Sequence, residues 1–165
     1  MEKNKDKLLG TITFGSQLID INIISDNSEC AIFQTAQLLI NAGCVEKSYP
    51  DAVWKREQSF PTGLQLKDIC VAIPHAEAVH VKESAIALGI LRNPVDFQLM
   101  GEPDRKGAVH LLVMLAIKDP NKQIDVLQNL MEVFQTEGAV QSILQADTCE
   151  EAATRFASLI QKSGK

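Results

Sequence analysis

Residues 109–117 read Val-His-Leu-Leu-Val-Met-Leu-Ala-Ile, an almost uninterrupted apolar run of strand length. A run without polar alternation is typical of a strand that is buried on both faces, at the centre of a sheet covered by helices. Residues 85–91 and 70–73 have the same character, and the second of these runs stops at Pro74. These three segments predict the central strands of one sheet.

The segments around these strands carry helix signals. Asn27 or Ser28 is a suitable cap for a helix that Gly43 ends, and Asp119-Pro120 combines a capping side chain with proline at the first helical position. The sequence therefore predicts an α/β fold, an α+β sandwich in which a mixed β-sheet is flanked by helices. The other predicted elements are a strand over 19–24 and helices over 29–41, from Pro50 through Trp54 and Arg56, from Pro120 onward, over 139–145 and over 149–160.

The composition is that of one globular domain, with 165 residues of which 45% are hydrophobic and 22% are charged. We expect residues 1–14 to form a flexible N-terminal tail and residues 15–162 to form a single domain. The net charge of −5 argues against nucleic acid as a partner. The longest apolar run, residues 111–117, is far shorter than the ~18 residues of a membrane span. We therefore expect no membrane insertion and a cytoplasmic location.

Sequence signatures of cofactor chemistry are absent. The chain has neither a GxxxxGK[ST] phosphate-binding loop nor a GxGxxG dinucleotide fingerprint, and its four cysteines form no CxxC pair. Each cysteine lies in an apolar neighbourhood, which favours a buried thiol. The sequence therefore predicts no metal and no cofactor.

One histidine stands where α/β folds present reactive groups. His75 directly follows Pro74, which ends a predicted strand, and so it lies at the carboxyl-terminal rim of the sheet. A neutral imidazole at this rim can act as a base, a metal ligand or a nucleophile near pH 7. The residues alone leave open whether His75 is functional or an ordinary loop histidine.

Three spaced motifs resemble the IIA components of the sugar phosphotransferase system (PTS), of the mannitol/fructose type (EIIA type 2). They are Arg56-Glu57, Phe60-Pro61-Thr62-Gly63 and Val71-Ala72-Ile73-Pro74-His75. The run over 109–117, followed by residues 119–123, also matches the family's central strand and the helix after it. Residues 60–63 together with 74–80 are most similar to the galactitol-specific branch. The resemblance covers residues 15–160 and implies the mannitol/fructose-type IIA fold.

The resemblance implies a phosphotransferase component that relays a phosphoryl group. Such a IIA component accepts the group from the phosphocarrier HPr on a histidine, here His75, and passes it to a cysteine of a IIB component. The IIB component serves a IIC membrane permease, and the similarity points to uptake of galactitol or a related polyol. Two alternatives are a regulatory relative, whose phosphorylation state controls a partner protein, and a binding domain without phosphoryl chemistry.

The resemblance also implies roles for residues near His75. Arg56 aligns with the family's phosphate-facing arginine, whose planar fork of donors suits phosphate oxygens. Thr62 and Gly63 are candidate hydroxyl and backbone N–H donors to the phosphoryl group. The residues leave the alternatives of a solvated arginine and a purely structural turn open.

The other two histidines have weaker signals. Glu77 and His80 resemble the galactitol branch and are candidates for partner contact or for orienting His75, with an exposed loop histidine as the alternative. A zinc site on His75 and His80 lacks a third ligand nearby. His110 begins an apolar run, and we expect it to mark the polar end of that strand.

Gln123 departs from the broader family pattern. Mannitol-type and nitrogen-regulatory relatives commonly carry a second active-site histidine where this chain has Gln123. An amide neither titrates nor accepts a phosphoryl group, but it can donate a hydrogen bond to one. We therefore expect Gln123 to stabilise the phosphoryl group, and no mechanism that needs a second imidazole.

Overall fold

The computed structural model describes residues 11–163, which form a five-stranded mixed sheet flanked by five α-helices. This arrangement confirms the predicted fold class. The strands are β1 (Ile19–Ile23), β2 (Gly63–Gln65), β3 (Cys70–Ala72), β4 (Ala85–Leu99) and β5 (Glu102–Ala116). The helices are α1 (Ser28–Asn41), α2 (Tyr49–Ser59), α3 (Pro120–Gln135), α4 (Ala139–Leu144) and α5 (Cys149–Ser163), and short 3-10 turns cover Ser16–Leu18 and Ala78–His80.

The other strands of the sheet are arranged around the hairpin of β4 and β5. β1 runs parallel to β4, and β3 runs parallel to β5. β2 pairs antiparallel with β3 and also meets the far end of β4, where Gly63 pairs with Leu99. Strands β2, β3, β5 and β4 therefore close on one another in a ring at that end of the sheet.

The sheet separates two hydrophobic cores. One core lies against α1 and α2, and the other lies against α3, α4 and α5. Leu112 and Met114 of β5 point into the first core, whereas Leu111 and Val113 point into the second. The prediction that residues 109–117 are buried on both faces is thus confirmed for the centre of the strand.

Two helix starts have the predicted capping bonds. The side chain of Asn27 accepts a hydrogen bond from the backbone N–H of Cys30, and Asp119 accepts one from the N–H of Asn121. Gly43 follows α1 with a positive φ of 74°, a conformation that glycine adopts without strain. These local signals confirm both predicted starts and the predicted end of α1.

Two central strands are longer than predicted. β4 continues from residue 91 to residue 99, and β5 begins at residue 102 instead of 109. His110 consequently lies within β5, so the expectation that it marks the end of the strand was wrong. It stands opposite a bulge, because Ile90 pairs with Leu111 and Val95 pairs with Val109.

Packing contacts at the N-terminal side begin before the predicted domain boundary at residue 15. Ile12 is buried, and the backbone N–H of Thr13 donates to the carbonyl of Ser84 over 2.8 Å. Residues 1–10 of the predicted tail lie outside the described part of the chain. Within residues 11–163, no helix combines the length and the apolar character needed to cross a membrane.

The cysteines occupy different environments from one another. Cys44 and Cys70 are buried as predicted, and Cys149 is half-buried. Cys30 is exposed, because it lies in the first turn of α1, whose buried residues begin at Ala31 and Ile32. The prediction of a buried thiol was therefore wrong for Cys30.

Candidate active site

His75 follows β3 and is held against β5. The backbone N–H of Leu115 donates to the carbonyl of Pro74 over 3.1 Å, and His75 forms an isolated parallel bridge with Leu115. The histidine is 8% exposed. The backbone of His75 is therefore fixed by the sheet, and only a small part of the residue reaches solvent.

The tautomer of His75 follows from one hydrogen bond. Nδ1 lies 2.8 Å from the carbonyl oxygen of Ile73. A carbonyl oxygen can only accept, so Nδ1 carries the hydrogen and Nε2 keeps its lone pair. Nε2 is thus the ring nitrogen whose lone pair can act as a base or a nucleophile.

The protonation state of His75 suits a nucleophile. Burial lowers the pKa of His75 below its usual value of 6.5, and the positive charge of Arg56 lowers it further, against the opposing effect of the Ile73 hydrogen bond. A lowered pKa keeps the imidazole neutral at pH 7. The lone pair on Nε2 is then available without prior loss of a proton.

Arg56 lies in the last turn of α2 with donors to spare. Its guanidinium carbon is 5.3 Å from the ring centroid of Phe60, a cation–π distance. Its buried Nε has no hydrogen-bond partner among residues 11–163. Arg56 and Phe60 line a cavity together with Glu77 and His80, so the positive charge of Arg56 lies at the wall of this cavity.

His80 is fastened to the beginning of α2. Its Nδ1 lies 2.8 Å from the hydroxyl oxygen of Ser48, and its carbonyl accepts a hydrogen bond from the N–H of Glu46 over 2.9 Å. The side chain of Glu77, by contrast, is exposed. The structure therefore brings His80, Glu77 and Arg56 to one cavity.

Gln123 lines a second cavity, which borders the same segment after His75. This cavity is also bounded by Glu77, Val79 and Pro120. The backbone N–H of Gln123 donates to Asp119, which places its side chain in the first turn of α3. Its amide oxygen is buried and has no hydrogen-bond partner in the described part of the chain. Rotation of the amide by 180° would present a donor at the same place.

Thr62 and Gly63 line neither cavity. The hydroxyl of Thr62 donates to Glu57 over 2.8 Å, so the predicted contact with a phosphoryl group would require this bond to break. Gly63 lies in β2, where an added Cβ atom would come within 2.5 Å of the carbonyl oxygen of Gln98. The close approach of β4 therefore explains the glycine at this position.

No metal centre is evident at this site. Across residues 11–163, His, Cys, Asp and Glu side chains form no group of three or more that could hold a metal ion.

Comparison with protein families gives one decisive match. The model of the family described as "Phosphoenolpyruvate-dependent sugar phosphotransferase system, EIIA 2" matches residues 13–158. The chain belongs to this family. It is a IIA component, a phosphotransferase of the sugar phosphotransferase system, and it acts as a phosphoryl carrier.

Individual relatives of this IIA component include two sugar-specific proteins. The galactitol-specific EIIA component of Escherichia coli K12 is 36% identical over 106 residues, which cover 64% of this chain and 70% of the relative. The mannitol-specific IIA component of Staphylococcus aureus MRSA252 is 32% identical over 141 residues, covering 84% and 89%. The complex of mannitol IIA with phosphorylated mannitol IIB from E. coli has the same fold, with a TM-score of 0.72, 21% identity and coverage of 89% and 99%.

Sequence reasoning missed two groups that shape the site of this IIA component. Glu57 stands in the Arg56-Glu57 motif, which by itself predicts no role for it, although Val53 and Glu57 lie one helical turn apart on a buried face. That spacing was the available signal. The carbonyl of Ile73 left no signal at all, because a backbone acceptor is common to every residue.

Proposed function

We propose that this chain accepts a phosphoryl group from HPr on Nε2 of His75 and passes it to a cysteine of a IIB component. The observation that supports this proposal most directly is the hydrogen bond between Nδ1 of His75 and the Ile73 carbonyl, which leaves Nε2 unprotonated. Family membership supports the carrier role, and the relative that was solved with phosphorylated IIB supports the acceptor.

Atoms and charge balance in the proposed transfer of the phosphoryl group to His75. The lone pair of Nε2 attacks phosphorus in line, the new N–P bond forms, and the donor leaves with the electron pair of the bond that breaks. Positive charge then develops on the His75 ring, where the Nδ1–H bond to the Ile73 carbonyl stabilises it. Arg56, whose positive charge acts on His75, is the proposed donor to the negative phosphoryl oxygens, and the Gln123 amide is a second candidate donor.

Exposed apolar side chains around the two cavities suit protein partners. Phe60 is 63% exposed beside Arg56, and Val79 is 75% exposed beside Gln123. Ile124, the next residue along α3, is 55% exposed. Phosphoryl transfer between proteins needs a surface that docks and releases, and exposed apolar side chains beside these two cavities suit such a surface.

The galactitol-specific relative supports galactitol or a related polyol as the transported sugar. Selection of that sugar falls to the IIC permease, which this chain reaches through IIB. We place the chain in the cytoplasm, where HPr and IIB are accessible to it. We propose residues 15–162, together with the packed residues Ile12 and Thr13 before them, as one domain.

Incubation with phosphoenolpyruvate, enzyme I and HPr, followed by addition of a IIB component, tests this function. We expect label that is lost in acid and kept in alkali, as in a phosphoramidate, and no label on the His75→Ala variant. Labelling without transfer to any IIB would favour the regulatory alternative. A chain that never becomes labelled would leave only the binding domain without phosphoryl chemistry.

A further inference from the structure

Glu57 is a buried acidic residue for which the proposed transfer has no use. It is only 6% exposed, although glutamate is seldom buried unless it is paired. It continues the buried stripe of α2, because Tyr49, Val53 and Glu57 follow at intervals of four residues and all three are buried. A carboxylate in such a place is costly unless its oxygens are hydrogen-bonded.

Thr62 supplies hydrogen bonds to both oxygens of Glu57. The backbone N–H of Thr62 donates to Oε2 over 2.8 Å, and its hydroxyl donates to Oε1 over 2.8 Å. Burial raises the pKa of the Glu57 carboxyl, while the two bonds from Thr62 and the positive charge of Arg56 act against that rise. Both carboxylate oxygens of Glu57 are thus hydrogen-bonded to Thr62.

The Thr62 hydroxyl links Glu57 to the backbone before His75. Because its hydrogen points at Glu57, its lone pair is free to accept the backbone N–H of Ile73, which lies 3.1 Å away. Ile73 is the residue whose carbonyl accepts the Nδ1–H of His75. Thr62 itself is 3% exposed, so water cannot readily replace these bonds.

A second hydrogen bond fixes the backbone on the carboxyl-terminal side of the Ile73 carbonyl. Pro74 accepts a hydrogen bond from the backbone N–H of Leu115 in β5. Proline also restricts the residue before it to extended backbone conformations. The Ile73 carbonyl is therefore held between the Glu57–Thr62 pair and the sheet.

We propose that Glu57 is a positioning residue for phosphoryl transfer, which fixes the Ile73 backbone through Thr62 and so keeps His75 in the tautomer with an unprotonated Nε2. This inference rests on the proposed function, in which Nε2 is phosphorylated. Two consecutive residues of α2 then serve one histidine, because Arg56 faces the phosphoryl group and Glu57 holds the ring's acceptor in place.

Nitrogen NMR of the full chain with ¹⁵N-labelled histidine tests the inference without any phosphorylation, because the shifts of Nδ1 and Nε2 report the tautomer. The variants are Glu57→Gln, whose amide hydrogens oppose the Thr62 donors, and Thr62→Val, which lacks the hydroxyl. Thr62→Ser retains the hydroxyl and serves as the rescue. Asp51→Asn is the matched control, because Asp51 is an exposed carboxylate on the same helix.

We expect Glu57→Gln and Thr62→Val to populate the second tautomer of His75, whereas wild type, Thr62→Ser and Asp51→Asn keep the Nδ1–H form. The kcat for transfer from phosphorylated HPr should fall ~10- to 100-fold in the first two variants with little change in KM, by analogy with outer-shell partners of ligating histidines. An unchanged tautomer in both variants would overturn the proposal.

Folding failure and functional failure give separate results. If circular dichroism shows that Glu57→Gln does not fold, the pair Thr62→Val and Thr62→Ser decides, and equal tautomer populations in that pair overturn the proposal. If wild type never accepts phosphate while the variants still change tautomer, the proposed function falls and the positioning of the ring by Glu57 stands.

Discussion

The hydroxyl of Tyr49 lies 2.6 Å from the carbonyl oxygen of Leu115, and it donates a hydrogen bond there inside the protein. Tyr49 is fully buried, and burial raises its pKa far above the usual value. Leu115 also donates its N–H to Pro74, the residue before His75. One residue of β5 therefore fastens both the helix that carries Arg56 and the turn that carries His75.

Replacement of Tyr49 by Phe should lower the free energy of unfolding by about 1–2 kcal/mol, because the hydrogen bond to Leu115 is lost in a buried place. Urea denaturation followed by circular dichroism measures the change. Since the aromatic ring is kept, packing against the core is preserved. An unchanged urea midpoint would show that this bond does not stabilise the fold.

Replacement of Arg56 by Lys should slow single-turnover transfer from phosphorylated HPr by ~10²-fold, since a planar bidentate donor is lost at a developing charge. The stability should change little, because Arg56 is partly exposed and its Nε has no partner within residues 11–163. Arg92→Lys, the same substitution at an exposed site on β4, is the matched control. A rate equal to that of the control would return Arg56 to the role of a solvated arginine.

The pH dependence should reflect the lowered pKa of His75. Phosphoryl acceptance needs the neutral ring, so the acid limb of the rate should lie below the ordinary histidine value of 6.5. Arg56→Gln should move the His75 titration, observed by NMR, to higher pH because a nearby positive charge is removed. A His75 titration at or above 6.5 in wild type would contradict this electrostatic account.

The same shift has a consequence for stability. Between the folded pKa of His75 and 6.5, the unfolded chain binds more protons than the folded one, so the free energy of unfolding falls as the pH is lowered through this window. His75→Ala should lack this slope. Urea midpoints measured across the window for both proteins would reveal the difference.

Gln123→Leu should weaken phosphoryl transfer by ~10- to 10³-fold if its amide donates to a phosphoryl oxygen, with little loss of stability because the side chain lies in the partly exposed first turn of α3. Gln123→His should retain activity and add a second inflection to the pH–rate profile near neutrality. Transfer by Gln123→Leu at the wild-type rate would make Gln123 an ordinary helix-surface amide.

Much of the fold could be predicted because its signals are local. The Asn27 and Asp119 caps, Gly43 and the apolar central strands act within a few residues of themselves. The sequence does not predict the outer half of the β4–β5 hairpin, because Pro94 interrupts the strand pattern. In the structure a bulge of β4 accommodates this proline. Beyond it, the buried residues Val95, Phe97 and Leu99 alternate with exposed ones. Residues 102–106 of β5 are exposed throughout, so only their pairing with β4 makes them a strand.

Only the part of the site that consists of side chains in recognisable motifs could be predicted from the sequence. His75 and Arg56 carry functional groups in recognisable motifs, and in the folded chain the positive charge of Arg56 lowers the pKa of His75. The acceptor that sets the tautomer is the Ile73 carbonyl, and the support of that acceptor runs through Thr62 and Glu57. Such a chain of contacts forms only when α2, β2 and β3 come together in three dimensions.

The most direct test of the account is the atom that carries phosphorus. Phosphorus–nitrogen correlation NMR on the phosphorylated, ¹⁵N-histidine-labelled chain identifies it in one experiment. The account predicts coupling of phosphorus to Nε2 of His75, with Nδ1 still bearing its hydrogen toward Ile73. Coupling to Nδ1 of His75, or to a nitrogen of His80 or His110, would contradict it.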